Sequence, residues 1–211
     1  MKIRSDSFRD QGRIPGRCAF AVRSVQGHVR LAANHNPHLA WTGVPAAARS
    51  LVLTCIDPDA PTRPDDVNRE GREVPQALPR AEFVHWLLVD LPPQLRSLAE
   101  GSCSRGVTPR GKASPAGPTG SRQGVNDYTG WFAGDPAMAG TWRGYDGPCP
   151  PWNDARVHRY RFELLATDLE RCPVPADFGL PALRQALEGH VLARASITGL
   201  YSLNPRIALP A

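Results

Sequence analysis

The chain has 211 residues, 41% hydrophobic and 21% charged, which supplies one ordinary core and lies outside the composition of disordered chains. Proline is the outlier: its 22 residues are about twice the usual share of roughly 5%, which excludes long uninterrupted helices and leaves strands and ordered loops to carry the fold. The net charge of +5 comes from 23 Arg and 2 Lys scattered singly, a solvated basic surface rather than a nucleic-acid arm, so no nucleic-acid partner is expected.

At the N-terminus, MKIRSDSFRDQGR lacks the apolar stretch of a signal peptide, and no segment approaches the roughly 18 apolar residues of a membrane span. The expectation is a soluble, cytoplasmic chain with at most peripheral membrane contact. Ser50 to Ile56 (SLVLTCI) predicts a strand buried on two faces. It should end in a turn, Asp57-Pro58-Asp59-Ala60-Pro61, whose prolines fix φ and present both carboxylates rigidly. Phe83 to Leu91 (FVHWLLVDL) reads as a second such strand, closed by Pro92-Pro93.

Between Gly101 and Asp127 the composition turns to Gly, Pro and Ser, predicting one long loop excursion, functional or mobile, between strands of the same sheet. Val157 to Thr167 alternates, with His158, Tyr160, Phe162 and Leu164 facing the core and Arg159, Arg161 and Glu163 facing water. Pro181 to Glu188 fits a short helix stopped by Gly189, and Val191 to Tyr201 a last strand. The five cysteines (Cys18, Cys55, Cys103, Cys149, Cys172) form no CxxC pair, which argues for reduced thiols over a disulfide framework or a zinc knuckle. One domain over residues 1–211 is expected.

No nucleophile elbow, P-loop, dinucleotide fingerprint or HExxH helix is present. What remains are residues at strand ends or on buried faces: Asp57, Asp59, His85, the Gly147-Pro148-Cys149-Pro150-Pro151 loop, His158 and Tyr160. Together they can wall one small polar pocket. Singly, each also has a plain structural reading: a satisfied buried imidazole, a turn-starting Asp, a core Tyr, a small apolar Cys.

In combination and order they resemble the phosphatidylethanolamine-binding protein family, and within it the bacterial branch similar to Raf kinase inhibitor protein. The resemblance is carried by NHNPHLAW (Asn34 to Trp41), SLVLTCIDPDAP (Ser50 to Pro61), VHWLLVDLP (Val84 to Pro92), GVNDYTGW (Gly124 to Trp131), GYDGPCPPWND (Gly144 to Asp154), HRYRFELLATD (His158 to Asp168) and GHVLARASITGLYS (Gly189 to Ser202), nearly the whole chain. It implies a mostly β fold, a large antiparallel sheet packed on a smaller one with a few short helices.

By resemblance, the pocket takes phosphate or phosphoethanolamine-like head groups on Asp57, Asp59, His85, Gly147, Pro148, Cys149, Pro150, Pro151, His158 and Tyr160, with Pro61 at the rim and a cis bond before Pro61. No catalytic residue, metal or cofactor is implied. The donors would be the two imidazoles, the phenol and loop N–H groups, with the carboxylates orienting and protonating the histidines. The alternative is a regulator that inhibits a kinase or peptidase through the pocket-side surface; a homodimer stays open. Two departures stand out: Val84, where relatives often carry an aromatic, should shrink one pocket wall, and Thr129 to Arg143 looks inserted, its Trp131, Phe132, Met138 and Trp142 forming a lid or anchoring a long loop.

Overall fold

The computed structural model describes residues 1–210. In chain order its strands are β1 (Lys2–Arg4), β2 (Gly12–Arg13), β3 (Ala21–Arg23), β4 (Val29–Leu31), β5 (Leu39–Thr42), β6 (Ser50–Pro61), β7 (Arg80–Leu91), β8 (Ser97–Leu98), β9 (Arg122–Gln123), β10 (His158–Thr167) and β11 (Val191–Tyr201). Two short helices, α1 (Tyr128–Trp131) and α2 (Leu180–Ala186), complete the described elements beside one 3₁₀ turn at Gly16–Cys18. The fold is mostly β, as the proline content requires.

The six-stranded sheet runs β2-β11-β10-β6-β7-β9, antiparallel except where β2 pairs with β11; a three-stranded sheet (β1-β5-β8) and the β3-β4 hairpin accompany it. Alternation along β6 sends Leu51, Leu53 and Cys55 into the larger core, with Trp41 of β5 and Phe162 and Leu164 of β10. The opposite face of β6 and β7 (Val52, Val84, Leu87, Val89) packs under Phe178 and the α2 leucines Leu180 and Leu183. Both strands are therefore buried on two faces, as their unbroken apolar runs predict. On β10 the wet face is confined to Arg159, Arg161 and the half-buried Glu163, because Leu165 tucks beneath the helix side.

Three expectations change. The segment after Ile56 is strand, not turn: β6 continues to Pro61, and its register with β7 slips between Asp57 and Ala60. That bulge absorbs the missing Pro58 donor, while the Asp59 N–H turns onto Asp57 Oδ1 at 2.7 Å. Every peptide bond among the described residues is trans, that before Pro61 included, because the bulge lets an ordinary extended proline fit. The third is the loop from 101 to 127, which contains β9 on the edge of β7 and is tied down along its length. Asn36 Oδ1 accepts the N–H groups of Cys103 and Ser104, and Gly106 N–H reaches Ala33 O.

That loop also crosses the 129–143 segment backbone on backbone. A Cβ at Gly111 would overlap the Thr141 carbonyl, and one at Gly140 the Arg110 carbonyl. The contact predicts that Gly140→Ala costs about 1–3 kcal/mol in urea unfolding, whereas Gly130→Ala, whose Cβ meets open space, leaves stability within about 1 kcal/mol of the parent.

Candidate ligand-binding site

At one end of the large sheet, the end of β6, the start of β7, α1, residues 149–151, the start of β10 and the 62–68 stretch enclose a cavity of about 190 Å³. Asp57, Pro61, His85, Cys149, Pro150, Pro151, His158 and Tyr160 line it, as do Phe83, Tyr128, Arg63 and Trp131. Asp59, Gly147 and Pro148 do not. Val84 faces the α2 side, so the aromatic wall beside His85 is Phe83, two residues away on the same face. Of the 129–143 segment, Tyr128's neighbours Phe132, Met138 and Trp142 pack against the larger core, while Trp131 stays half exposed at the cavity mouth.

The cavity's charged edge centres on His158. Its Nδ1 donates to Asp57 Oδ2 at 2.6 Å and its Nε2 to Asp154 Oδ2 at 3.0 Å, all three side chains buried. Burial works against the cation, but Asp57 and Asp154 overcome it and hold the pKa up at about 9. Arg80 completes the cluster, forking onto both Asp154 oxygens and onto the Asp59 carbonyl. Burial resists ionisation of Asp154 too, yet His158 and Arg80 keep its carboxyl below the usual range. With both ring nitrogens engaged, His158 has no donor left for a ligand, which corrects its expected role.

Asp59 turns to the far side of the strand. It accepts from Arg159 N–H (3.1 Å), Nε (2.8 Å) and Nη2 (2.9 Å) and from Arg156 Nη1 at 3.3 Å. Alternate residues of a regular strand share a face, but Pro58 and the bulge put Asp57 and Asp59 in different partnerships, one facing the cavity and one clamped by arginines. Burial opposes its charge; the Arg159 hydrogen bonds prevail and lower its pKa.

His85 belongs to a second network. Its Nδ1 donates to the Asp146 carbonyl at 2.7 Å, and the Asp146 N–H returns to the His85 carbonyl at 3.1 Å. A carbonyl only accepts, so Nδ1 carries the proton and Nε2 of the neutral ring is an acceptor. Burial, outweighing the pull of Asp57, takes the His85 pKa down to about 4. The Asp146 carboxylate is anchored by Lys112 Nζ (2.6 Å), Asn34 Nδ2 (2.8 Å) and Asn126 Nδ2 (2.9 Å). Lys112 arrives from the long loop and also donates to Tyr145 O at 3.0 Å.

Gly147 and Pro148 serve behind the wall. The Gly147 N–H meets Asn34 Oδ1 at 2.8 Å, its carbonyl accepts the Tyr128 hydroxyl at 2.7 Å, and a Cβ there would strike the Cys18 carbonyl. Among the described residues, Ser104 Oγ is the only fully enclosed side-chain N or O without a partner. His85 Nε2 and the Tyr160 hydroxyl, both lacking one, therefore open into the cavity. Cys149 adds the single N–H of the 148–151 stretch, unused within the protein; burial pushes its thiol up to about 12. Away from the mouth residues Arg63 and Trp131, the open groups include one hydroxyl, one backbone N–H, one thiol and one imidazole acceptor.

Sequence reasoning missed Asp154, Arg80, Asp146, Asn34, Asn126 and Lys112. A signal existed for the last: it is one of only 2 lysines in an Arg-rich chain, set alone in a Gly/Pro-rich stretch.

A mostly β scaffold with a small cavity at one sheet end, walled by carboxylate, imidazole and aromatic groups, defines a class of β folds with a pocket at the sheet end. The comparisons make this specific. A family model described as phosphatidylethanolamine-binding protein matches residues 4–202, and the chain belongs to that family. A UPF0098 protein of Methanothermobacter thermautotrophicus is 34% identical over 95% of this chain and 98% of its own. The UPF0098 protein YbhB of Escherichia coli is 32% identical over 96% and 100%. The crystal structure of Escherichia coli YbcL, described as a new member of the mammalian PEBP family, superposes with a TM-score of 0.67 at 25% identity, covering 95% of this chain and 97% of that one.

Two predictions follow from the buried groups. His158 titrates near 6.5 in an unfolded chain but at about 9 here, so its contribution is full below pH 6.5 and lost as pH rises to about 9. His85, held at about 4, takes its proton later than the unfolded chain does, so stability also falls as pH drops from about 6.5 to 4. Urea unfolding should show a maximum near pH 6.5 with a loss of about 3 kcal/mol on each limb, and His85→Gln should flatten only the acid limb. Lys112→Met strands the Asp146 charge and should cost about 3–5 kcal/mol, much of it recovered in the Lys112→Met, Asp146→Asn double variant.

Proposed function

We propose that this chain is a non-catalytic binding protein for small phosphorylated or anionic ligands, of the phosphate or phosphoethanolamine type, held in the cavity by His85, Tyr160 and the Cys149 N–H. The observation that carries this reading is the pairing of open hydrogen-bonding groups with chemically quiet ones. Asp57, Asp154, His158 and Arg80 neutralise one another, and a thiol whose pKa is pushed up to about 12 is a poor nucleophile at neutral pH. Nothing in that set is poised to transfer a group, whereas the Tyr160 hydroxyl and Cys149, with its unused N–H, both border space sized for a small ligand.

An acceptor nitrogen facing an anion is tolerable only if a proton lies between them. Either the ligand brings it, as the P–OH of a monoanion, or the ring gains it on binding because the anion offsets the desolvation that otherwise keeps it neutral. Binding is thus coupled to a proton. O-phosphoethanolamine, a phosphomonoester whose second pKa is about 6, should lose roughly tenfold in affinity per pH unit above 7. Calorimetry at pH 7.5 in buffers of differing ionisation enthalpy should record uptake of about one proton, and His85→Phe should abolish the heat of binding. An affinity independent of pH, or unaltered by that substitution, would sink the assignment.

A further inference from the structure

The mouth of the cavity holds two residues that neither the fold nor the pocket floor requires. Trp131 is 51% exposed, although Tyr128, Phe132 and Trp142 around it are stacked or tilted against one another in the core. A half-exposed indole costs apolar area in water that burial beside its neighbours would have recovered. Arg63, on the opposite contributing segment, is 70% exposed on its side chain; its one ion pair is to Asp65 at 3.9 Å, itself exposed, a separation and exposure worth little. Both line the cavity, as do Pro61 and Pro64. Deeper in the cavity, by contrast, the cation among the described lining residues is His158, which is already paired with Asp57 and Asp154.

Resting on the anion-binding reading above, we propose that the mouth is a second half of the site that selects esters over free phosphate, with Trp131 stacking on a planar substituent and Arg63 supplying the positive charge the floor lacks. The ligand class is then a phosphomonoester of an aromatic alcohol: phosphoryl group against His85, Tyr160 and the Cys149 N–H, ring against the indole. Flat-on-flat contact suits a planar group, because an indole and a guanidinium both present faces to a π-system. A cavity of about 190 Å³ that the mouth residues help to line fits a compact head and a rigid ring better than a long flexible chain.

The test compares orthophosphate, O-phosphoethanolamine and phenyl phosphate by calorimetry on the full chain and on Trp131→Ala, Trp131→Phe and Arg63→Gln. Phenyl phosphate should bind the parent about tenfold more tightly than orthophosphate, the worth of one good stacking contact, and should quench tryptophan fluorescence. Trp131→Ala should bring the ratio of the two affinities close to one, Trp131→Phe should keep part of it, and Arg63→Gln should weaken both ligands by similar factors and reduce the salt dependence. Trp131 is outside the core, so an unchanged unfolding midpoint identifies a folded variant. Equal affinities in the parent, a ratio untouched by Trp131→Ala, or tighter binding of phosphoethanolamine than of phenyl phosphate would overturn the mouth proposal alone. Failure of the parent to bind any of the three would overturn the pocket reading along with it.

Discussion

One buried imidazolium ties together the parts of the chain that make the cavity. His158 opens β10, Asp57 belongs to the bulged end of β6, and Asp154 lies in the proline-rich approach to β10. Arg80, first residue of β7, clasps the same Asp154. An isolated charge at such depth would be expelled or neutralised; here two carboxylates and two cations balance, and every ring nitrogen has its acceptor. The geometry of the site's charged edge is thus set by satisfaction of buried charge rather than by a ligand. That leaves the neutral His85, which lines the same cavity, as the group free to respond to one.

The two histidines divide the work because their surroundings differ in kind. His158 sees carboxylates on both sides; His85 sees Phe83, Tyr128 and Tyr160 at ring-centroid distances of 5.0 to 5.6 Å and a carbonyl behind. Charge stabilises the proton on one, and apolar surroundings deny it to the other. Prolines hold this contrast in place. Pro61 and Pro64 stiffen one wall, and Pro148, Pro150 and Pro151 leave a single N–H in the opposite one, so little ordering remains to be done when a ligand arrives.

Much of the scaffold was legible in the residues. The apolar runs of β6 and β7, the alternation of β10 and the extent of β11 follow from period and side-chain type, and the motifs point to the family. What escaped was every feature that depends on partners distant in sequence. Asp57 and Asp59 look alike in DPDAP, yet their fates are decided by whether His158 or Arg159 comes opposite, a matter of register across the bulge. His158 reads as a donor until Asp154 and Asp57 are both seen to occupy it. The 101–127 stretch looks loose because its anchors are the side chains of Asn36 and Asn34 and the lone Lys112, none of which carries a periodic signal. The trans bond before Pro61 is the isomer an X-Pro dipeptide ordinarily prefers; the cis expectation comes from the resemblance alone.

The strand order β2-β11-β10-β6-β7 has a consequence for how the protein is made. The β6-β7 hairpin is local and available once residue 91 has been synthesised, but β10, which fits between β6 and β11, begins only at residue 158. Until then Asp57 and Asp59 lie at an unpaired sheet edge without the cations that neutralise them, and water must keep that edge solvated. Two acidic side chains there discourage edge-to-edge pairing with another chain. When β10 docks, it brings His158 and Arg159 to those carboxylates in one step, so the last central strand both closes the sheet and discharges its guard. Assembly of such non-local contacts is inherently slow.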